Sequence, residues 1–206
     1  MSHLPKGFTY LEEIDPTIIQ DMVYARSDNF IGRPVAGYFA ERCIVLEKLG
    51  VALAQVQKDA LAQGLSLLVY DSYRPLRAVE DFVFWSKDLR DTKTKSTHYP
   101  NINKEDFFDL GYVGVRSYHC RGAAVDLTLV PKDSPDTPLD MGTYLDFMDM
   151  QSHTGNQDIS KEAKANRTLL CDLMHARGFA NYPKEWWHFN LKDEPFPEMY
   201  FDFPVK

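Results

Sequence analysis

Two short segments carry residue types that together can hold and use a metal ion: Ser117-Tyr118-His119-Cys120-Arg121-Gly122-Ala123-Ala124-Val125-Asp126 and Glu185-Trp186-Trp187-His188. They offer two histidines, an aspartate and one further acid, the donor set of a catalytic zinc with a carboxylate to spare. Such sites take three protein ligands and keep one position open for water. The ion lowers the pKa of that water and polarises a carbonyl, while a nearby carboxylate takes the proton and passes it to the leaving amine. His119, Asp126 and His188 suit the ligand positions. Glu185, three residues before His188, can stand near the ion without binding it.

A third segment, Asp71-Ser72-Tyr73-Arg74, ends an apolar run and precedes Pro75. The fixed charge of Arg74 suits an oxyanion that forms when water attacks an amide, and Asp71 can pair with Arg74 and orient it. Each piece also has a plainer reading. An isolated ExxH is common by chance. Arg74 with Asp71 is equally a structural salt bridge at a strand end. Trp186 and Trp187 suit core packing better than a substrate platform. Cys120 reads as a small buried hydrophobe, because neighbours on an extended chain point apart. His98 and His153 have no spaced partner, His175 suits a helix C-terminus, and His3 belongs to no motif.

These residues need elements to place them. Val45, Leu49, Ala52, Val56 and Ala60 recur at helical spacing, which predicts a helix over 38–63 stopped by Gly64. Residues 65–70 form an apolar run that reads as a buried strand. Pro75 suits the first turn of a helix running from Leu76 to Arg90. Ala123, Val125, Leu127 and Leu129 alternate, which predicts a strand carrying Asp126, with Gly122 allowing a turn or close approach after His119. Lys161 to Arg177 reads as a helix closed by Gly178, and Glu185 to Leu191 as a strand. On a regular strand, positions three apart face opposite ways, so Glu185 and His188 can cooperate only across a bulge, turn or short helical step. Residues 91–112 and 131–160 read as long loops, of the kind that often serve function. Strands and helices do not alternate regularly, so the expected class is α+β, a single domain over 1–206 with a mainly antiparallel sheet flanked by helices.

The composition (206 residues, 44% hydrophobic, 26% charged) is that of an ordinary globular protein. A net charge of −7 argues against non-specific nucleic-acid binding, which needs a basic face. No apolar run is long enough for a membrane span, and the first residues lack the basic flank and apolar region of a signal peptide. Cys43, Cys120 and Cys171, odd in number and widely spaced, suit reduced thiols and a cytoplasmic address. A homo-oligomer is left open.

The order SxHxxGxAxD then ExWH, with YRP upstream, resembles the zinc D-alanyl-D-alanine dipeptidases of the VanX type, which share a fold with other D-Ala-D-Ala metallopeptidases and the amino-terminal domain of hedgehog proteins. Asp21 to Ala25, Asp28 to Phe30, Gly32 to Tyr38, Met141 to Thr143 and Asp146-Phe147 are similar too, so the resemblance runs from about residue 15 to 190. It implies one zinc per chain on His119, Asp126 and His188, Glu185 as general base and acid, and Arg74 as transition-state stabiliser. It further implies that Asp146 and Tyr24 hold the amino end of a dipeptide and that Ser117 contacts its backbone; Asp71 completes the substrate-contacting set. The implied reaction is hydrolysis of D-Ala-D-Ala to D-alanine, which either depletes a cell-wall precursor, as in vancomycin resistance, or recovers D-alanine. Two other readings are a metallopeptidase trimming peptidoglycan stem peptides and a non-catalytic zinc-binding domain on the same fold. The presence of both Glu185 and Arg74 weighs against the last.

Overall fold

The apolar runs beside the chemical segments become the middle of one sheet. The computed structural model describes residues 4–206, and His3 lies outside them. Along the chain come β1 (Phe8–Tyr10), α1 (Leu11–Ile14), β2 (Ile19–Gln20), β3 (Ile44–Leu46), α2 (Glu47–Leu61), β4 (Leu65–Asp71), α3 (Leu76–Lys87), α4 (Lys95–His98), α5 (Phe107–Leu110), β5 (Ala124–Pro131), α6 (Lys161–His175), β6 (Phe179–Asn181) and β7 (His188–Leu191). The main sheet has the order β2-β4-β5-β7-β6. Only the β2–β4 pair in it is parallel. The fold is α+β, as the irregular order of strands and helices predicts.

Strand β5 sits at the centre and is buried over Ala124–Val130, so it reads as a nearly continuous apolar run interrupted by Asp126 and Thr128. Helix α2 turns Leu49, Leu53, Val56 and Ala60 toward the sheet. Its buried Gln57 amide reaches the Thr17 carbonyl and Ser66 Oγ, while its Oε1 accepts the Leu67 N–H at 2.8 Å. The helix expected from residue 38 starts only at Glu47, because Ile44–Leu46 pair with Phe8–Tyr10 in a two-stranded antiparallel ladder. Here β-branched side chains with a strand partner outweigh the helical spacing. The helix after Pro75 ends at Lys87 rather than Arg90, and the late helix at His175 rather than Arg177. The segment 91–112 is not a plain loop, since it holds α4 and α5.

Residues 132–160 contain no helix or strand apart from a single 3-10 turn, Met150–Ser152. One side chain pins them. Arg167 of α6, 2% exposed, donates from Nε to the Met141 carbonyl at 2.7 Å, and from Nη1 and Nη2 to the His153 and Gln151 carbonyls at 2.7 and 2.9 Å. No carboxylate lies within salt-bridge distance of it among the described residues, and burial pushes its pKa down to about 10. Truncation leaves three carbonyls without their donor, each costing about 1–3 kcal/mol where buried. Arg167→Met is therefore expected to lose about 3 kcal/mol or more of stability, seen as a lower urea midpoint with an unchanged slope.

Candidate active site

Three strands bring the acids and one histidine into a row. Asp126 on β5 is the direct partner of His188 on β7 and of Asp71 on β4. Direct partners share a face, so all three side chains emerge on one side of the sheet. For Asp71 this depends on an irregularity: Val69 pairs with Leu127, but the next pair is Asp71 with Asp126. Tyr70 is the extra residue of a β-bulge, and without it Asp71 would face the other way.

His119 arrives from outside the sheet, on the 3-10 turn Tyr118–Arg121 that leads into β5. Ser117 caps that turn, its Oγ accepting the His119 N–H at 3.2 Å. Gly122 ends it with φ +68, and a Cβ there would meet Phe8 Cε1 at 2.5 Å. The turn and the close approach expected at Gly122 are both present.

The orientation of each imidazole is fixed from behind. His119 Nδ1 lies 2.6 Å from the Ser72 carbonyl oxygen, which only accepts, so its proton is on Nδ1 and Nε2 carries the lone pair. His188 Nε2 lies 2.9 Å from Asn190 Oδ1, which leaves the lone pair on Nδ1. Those two lone-pair nitrogens are 3.2 Å apart. Asp126 places Oδ2 3.2 Å from the first and Oδ1 3.0 Å from the second. Three electron-rich donors thus converge with no hydrogen between them, all within 4.8 Å of one another, an arrangement that fits a small divalent cation. Burial raises the Asp126 carboxyl, but with no ion between them the positive charge of a protonated His119, and then of His188, holds it well below the usual carboxylate range; a bound cation would take the place of those protons. Among the described residues this is the one cluster of three or more His, Cys, Asp or Glu side chains able to hold a metal. Cys120 is fully buried and outside it.

The strand expected over 185–191 begins only at His188. Residues 185–188 form a turn in which the His188 N–H donates to the Glu185 carbonyl at 3.2 Å. Asn181 Nδ2 clamps that turn, reaching the Glu185 and His188 carbonyls at 3.2 and 3.0 Å. The turn removes the obstacle posed by a three-residue separation, and Glu185 Oε2 lies 3.8 Å from His188 Nδ1. The Glu185 side chain is 18% exposed, and burial pushes its pKa up to about 7.

Arg74 stands beside the cluster. Its Nε donates to Asp71 Oδ2 at 2.9 Å and its Nη2 to Asp126 Oδ2 at 3.3 Å. The guanidinium lies 5.0 Å from the Tyr24 ring centroid and 5.1 Å from that of Phe82. Asp71 is fully buried behind Arg74, with its other oxygen taken by the Tyr38 hydroxyl at 2.7 Å. It does not line the cavity, so its expected place among the substrate-contacting residues is corrected: both oxygens are spent, and it orients Arg74 instead. The other sequence-predicted residues all line one cavity of about 270 Å³. Asp146 enters it from the 131–160 segment, with the Tyr24 hydroxyl 2.9 Å from its Oδ2. Burial first, then the charge of Asp126, pushes its pKa up to about 8. It is the one non-glycine residue with positive φ (57°) among those described, and His98 Nδ1 lies 3.2 Å from its carbonyl.

A family model described as D-ala-D-ala dipeptidase matches residues 5–206. The chain belongs to this family. Curated relatives are D-alanyl-D-alanine dipeptidases of Streptomyces coelicolor, 46% identical over 96% of this chain and 98% of that protein, of Enterococcus faecium, 43% identical over 97% and 98%, and of Enterococcus faecalis, 40% identical over 98% and 100%. No helix among the described residues is long and apolar enough to cross a membrane.

Asn190 belongs to neither motif of this family member, yet it stands two residues beyond His188 on β7 and so on the same face, a signal that spacing alone carries. Asn190→Val removes the acceptor that fixes the His188 tautomer. It is expected to weaken metal binding roughly 10- to 100-fold, measured by competition with a chelator. His98 gave no such signal, because its partner is a backbone atom of a loop 48 residues away. Trp186 and Trp187 are core residues as the plainer reading had it, each 2% exposed, though Trp187 also touches the cavity.

Proposed function

We propose that this chain is a zinc-dependent dipeptidase that hydrolyses D-Ala-D-Ala to two molecules of D-alanine. The observation that carries the reading is the convergence of three lone-pair donors, His119 Nε2, Asp126 and His188 Nδ1, with the Glu185 carboxylate alongside. A zinc ion held there supplies Lewis acidity, acidifying water and polarising the scissile carbonyl.

Glu185 takes the proton of the attacking water and delivers it to the departing amino group. A pKa pushed up to about 7 suits a carboxyl that must both accept and release a proton near neutral pH. Arg74, aligned by Asp71, aims a fixed charge at the oxygen that becomes negative, in a site largely screened from water. Asp146 and Tyr24 receive the substrate ammonium. Asp146 is buried and without a cation paired to it in the cavity, so an arriving ammonium supplies the missing charge. Ser117 borders the path of the dipeptide backbone.

The cavity volume, about 270 Å³, lies below the range of about 300–1,000 Å³ that holds drug-sized ligands. That size favours a dipeptide over a stem peptide. Free thiols at Cys43, Cys120 and Cys171 support work in a reducing cytoplasm, where removal of D-Ala-D-Ala reduces the supply of cell-wall precursor or returns D-alanine to use.

The test is release of D-alanine from D-Ala-D-Ala by zinc-loaded protein, before and after chelation. Metal-dependent release is expected. Cleavage of a stem pentapeptide with none of the dipeptide would overturn the assignment.

A further inference from the structure

We propose that Arg116 is the receptor for the free C-terminal carboxylate of the substrate, and so the residue that restricts cleavage to peptides ending one residue after the scissile bond. The inference rests on the dipeptidase reading above and deepens it.

The argument begins with charge. Apart from histidines, only Arg74 and Arg116 among the cavity-lining residues can carry a positive charge. Arg74 is committed to Asp71 and Asp126 beside the metal-binding cluster. Arg116 has no carboxylate within salt-bridge distance among the described residues; its guanidinium rests 5.2 Å from the Tyr200 ring centroid. The neighbouring arginine differs. Arg121 is 7% exposed and spent on Glu194, with bonds of 2.9 and 2.7 Å, and on the Tyr200 hydroxyl. Tyr200 therefore sits between one arginine that is fully paired and one that is not.

Position gives the second part. Arg116 immediately precedes Ser117, whose backbone is extended (φ −142, ψ 146) before the turn that carries His119. A substrate lying along this segment with its scissile carbonyl at the metal-binding cluster extends its C-terminal residue past Ser117. Asp146 and Tyr24, on different segments, take the other end. A dipeptide zwitterion has one ammonium and one carboxylate, and the cavity offers, apart from the metal-binding cluster and Glu185 beside it, one buried acid without a paired cation, Asp146, and one arginine without a paired anion. A guanidinium is the side chain suited to a planar carboxylate, which it grips through two parallel N–H bonds.

The experiment compares D-Ala-D-Ala with D-Ala-D-alaninamide on zinc-loaded wild type, Arg116→Met and Arg116→Lys. Arg116→Met is expected to raise KM for the free acid roughly 10- to 100-fold with kcat largely kept. The amide should be a poor substrate for wild type and suffer no further loss in the Met variant, while Arg116→Lys restores part of the acid preference. Equal losses on acid and amide, or no loss on the acid, would overturn the proposal. The same pair of ligands titrated calorimetrically into zinc-loaded Glu185→Ala protein, with and without Arg116→Met, separates the two readings. If wild type released no D-alanine, the dipeptidase assignment would fall. The titration would then decide Arg116 alone, a preference for the free carboxylate that depends on Arg116 upholding it and its absence overturning it.

Discussion

Glu185→Ala protein is expected to bind zinc as wild type does and to release D-alanine from D-Ala-D-Ala roughly a hundred- to ten-thousand-fold more slowly. The geometry separates these two properties. Glu185 is not one of the three converging donors; it stands 3.8 Å from His188 Nδ1 on the open side of a turn held by its own backbone. The hydrogen bonds of that turn, from the His188 N–H and from Asn181 Nδ2, end on the carbonyls of Glu185 and His188 and not on the Glu185 side chain. Alanine keeps them. The substitution also removes a half-buried carboxylate whose pKa burial has raised, so folding stability should not suffer. The loss should fall on kcat more than on KM, because proton transfer matters in the transition state. Zinc content by atomic absorption and single-turnover rates check both halves. Full activity would remove Glu185 from the mechanism, and a loss of zinc would make it a ligand.

The site is more legible in the sequence than the elements that build it. Donor type and order are written in the chain: His119, Asp126 and His188 converge within 4.8 Å. Periodicity also places β4, β5 and the face of α2. What spacing cannot carry is any feature that depends on a partner strand or a local irregularity. The register slip at Tyr70 that turns Asp71 toward Asp126 follows from how β4 meets β5, not from the residues of β4 alone. The turn over residues 185–188 looks like a strand because its residues are aromatic, and aromatic residues favour strands; Asn181, which stabilises the turn, lies outside the motif. The late start of α2 has the same cause, since Ile44–Leu46 find a ladder with Phe8–Tyr10 that helical spacing does not reveal. Asp71 is the instructive residue. Its type and place beside Arg74 suit either a substrate contact or a salt bridge, and only the Tyr38 hydroxyl on its second oxygen decides between them.

Asp126→Asn is the second change with a very large expected effect, and it tests the metal rather than the base. The Asp126 carboxylate is the negative centre of the cluster: it accepts from Arg74 at 3.3 Å and lies within 3.2 Å of both inward-facing histidine nitrogens. Asparagine has nearly the same shape, so the β4–β5–β7 register should hold. It has lost the charge, however, and one of its two terminal atoms is now a donor. Turned either way, the amide presents N–H bonds toward a lone pair of His119 or His188, or toward the guanidinium of Arg74, which has nothing with which to accept them. Both the attraction for a divalent ion and one oxygen ligand are therefore lost, while Arg74 is left with Asp71 as its only carboxylate. The variant should fold, bind zinc at least about a hundredfold more weakly, judged against a ligand set whose outer partners alone are worth 10- to 100-fold, and show no D-alanine release at zinc concentrations that saturate wild type. Chelated wild type should behave the same way and recover when zinc is returned; the Asn variant should not recover. Zinc titration against a competing chelator, with circular dichroism to confirm the fold, distinguishes loss of the ligand from loss of structure. An Asn variant that held zinc with wild-type affinity would mean that Asp126 serves Arg74 and the histidines but not the metal.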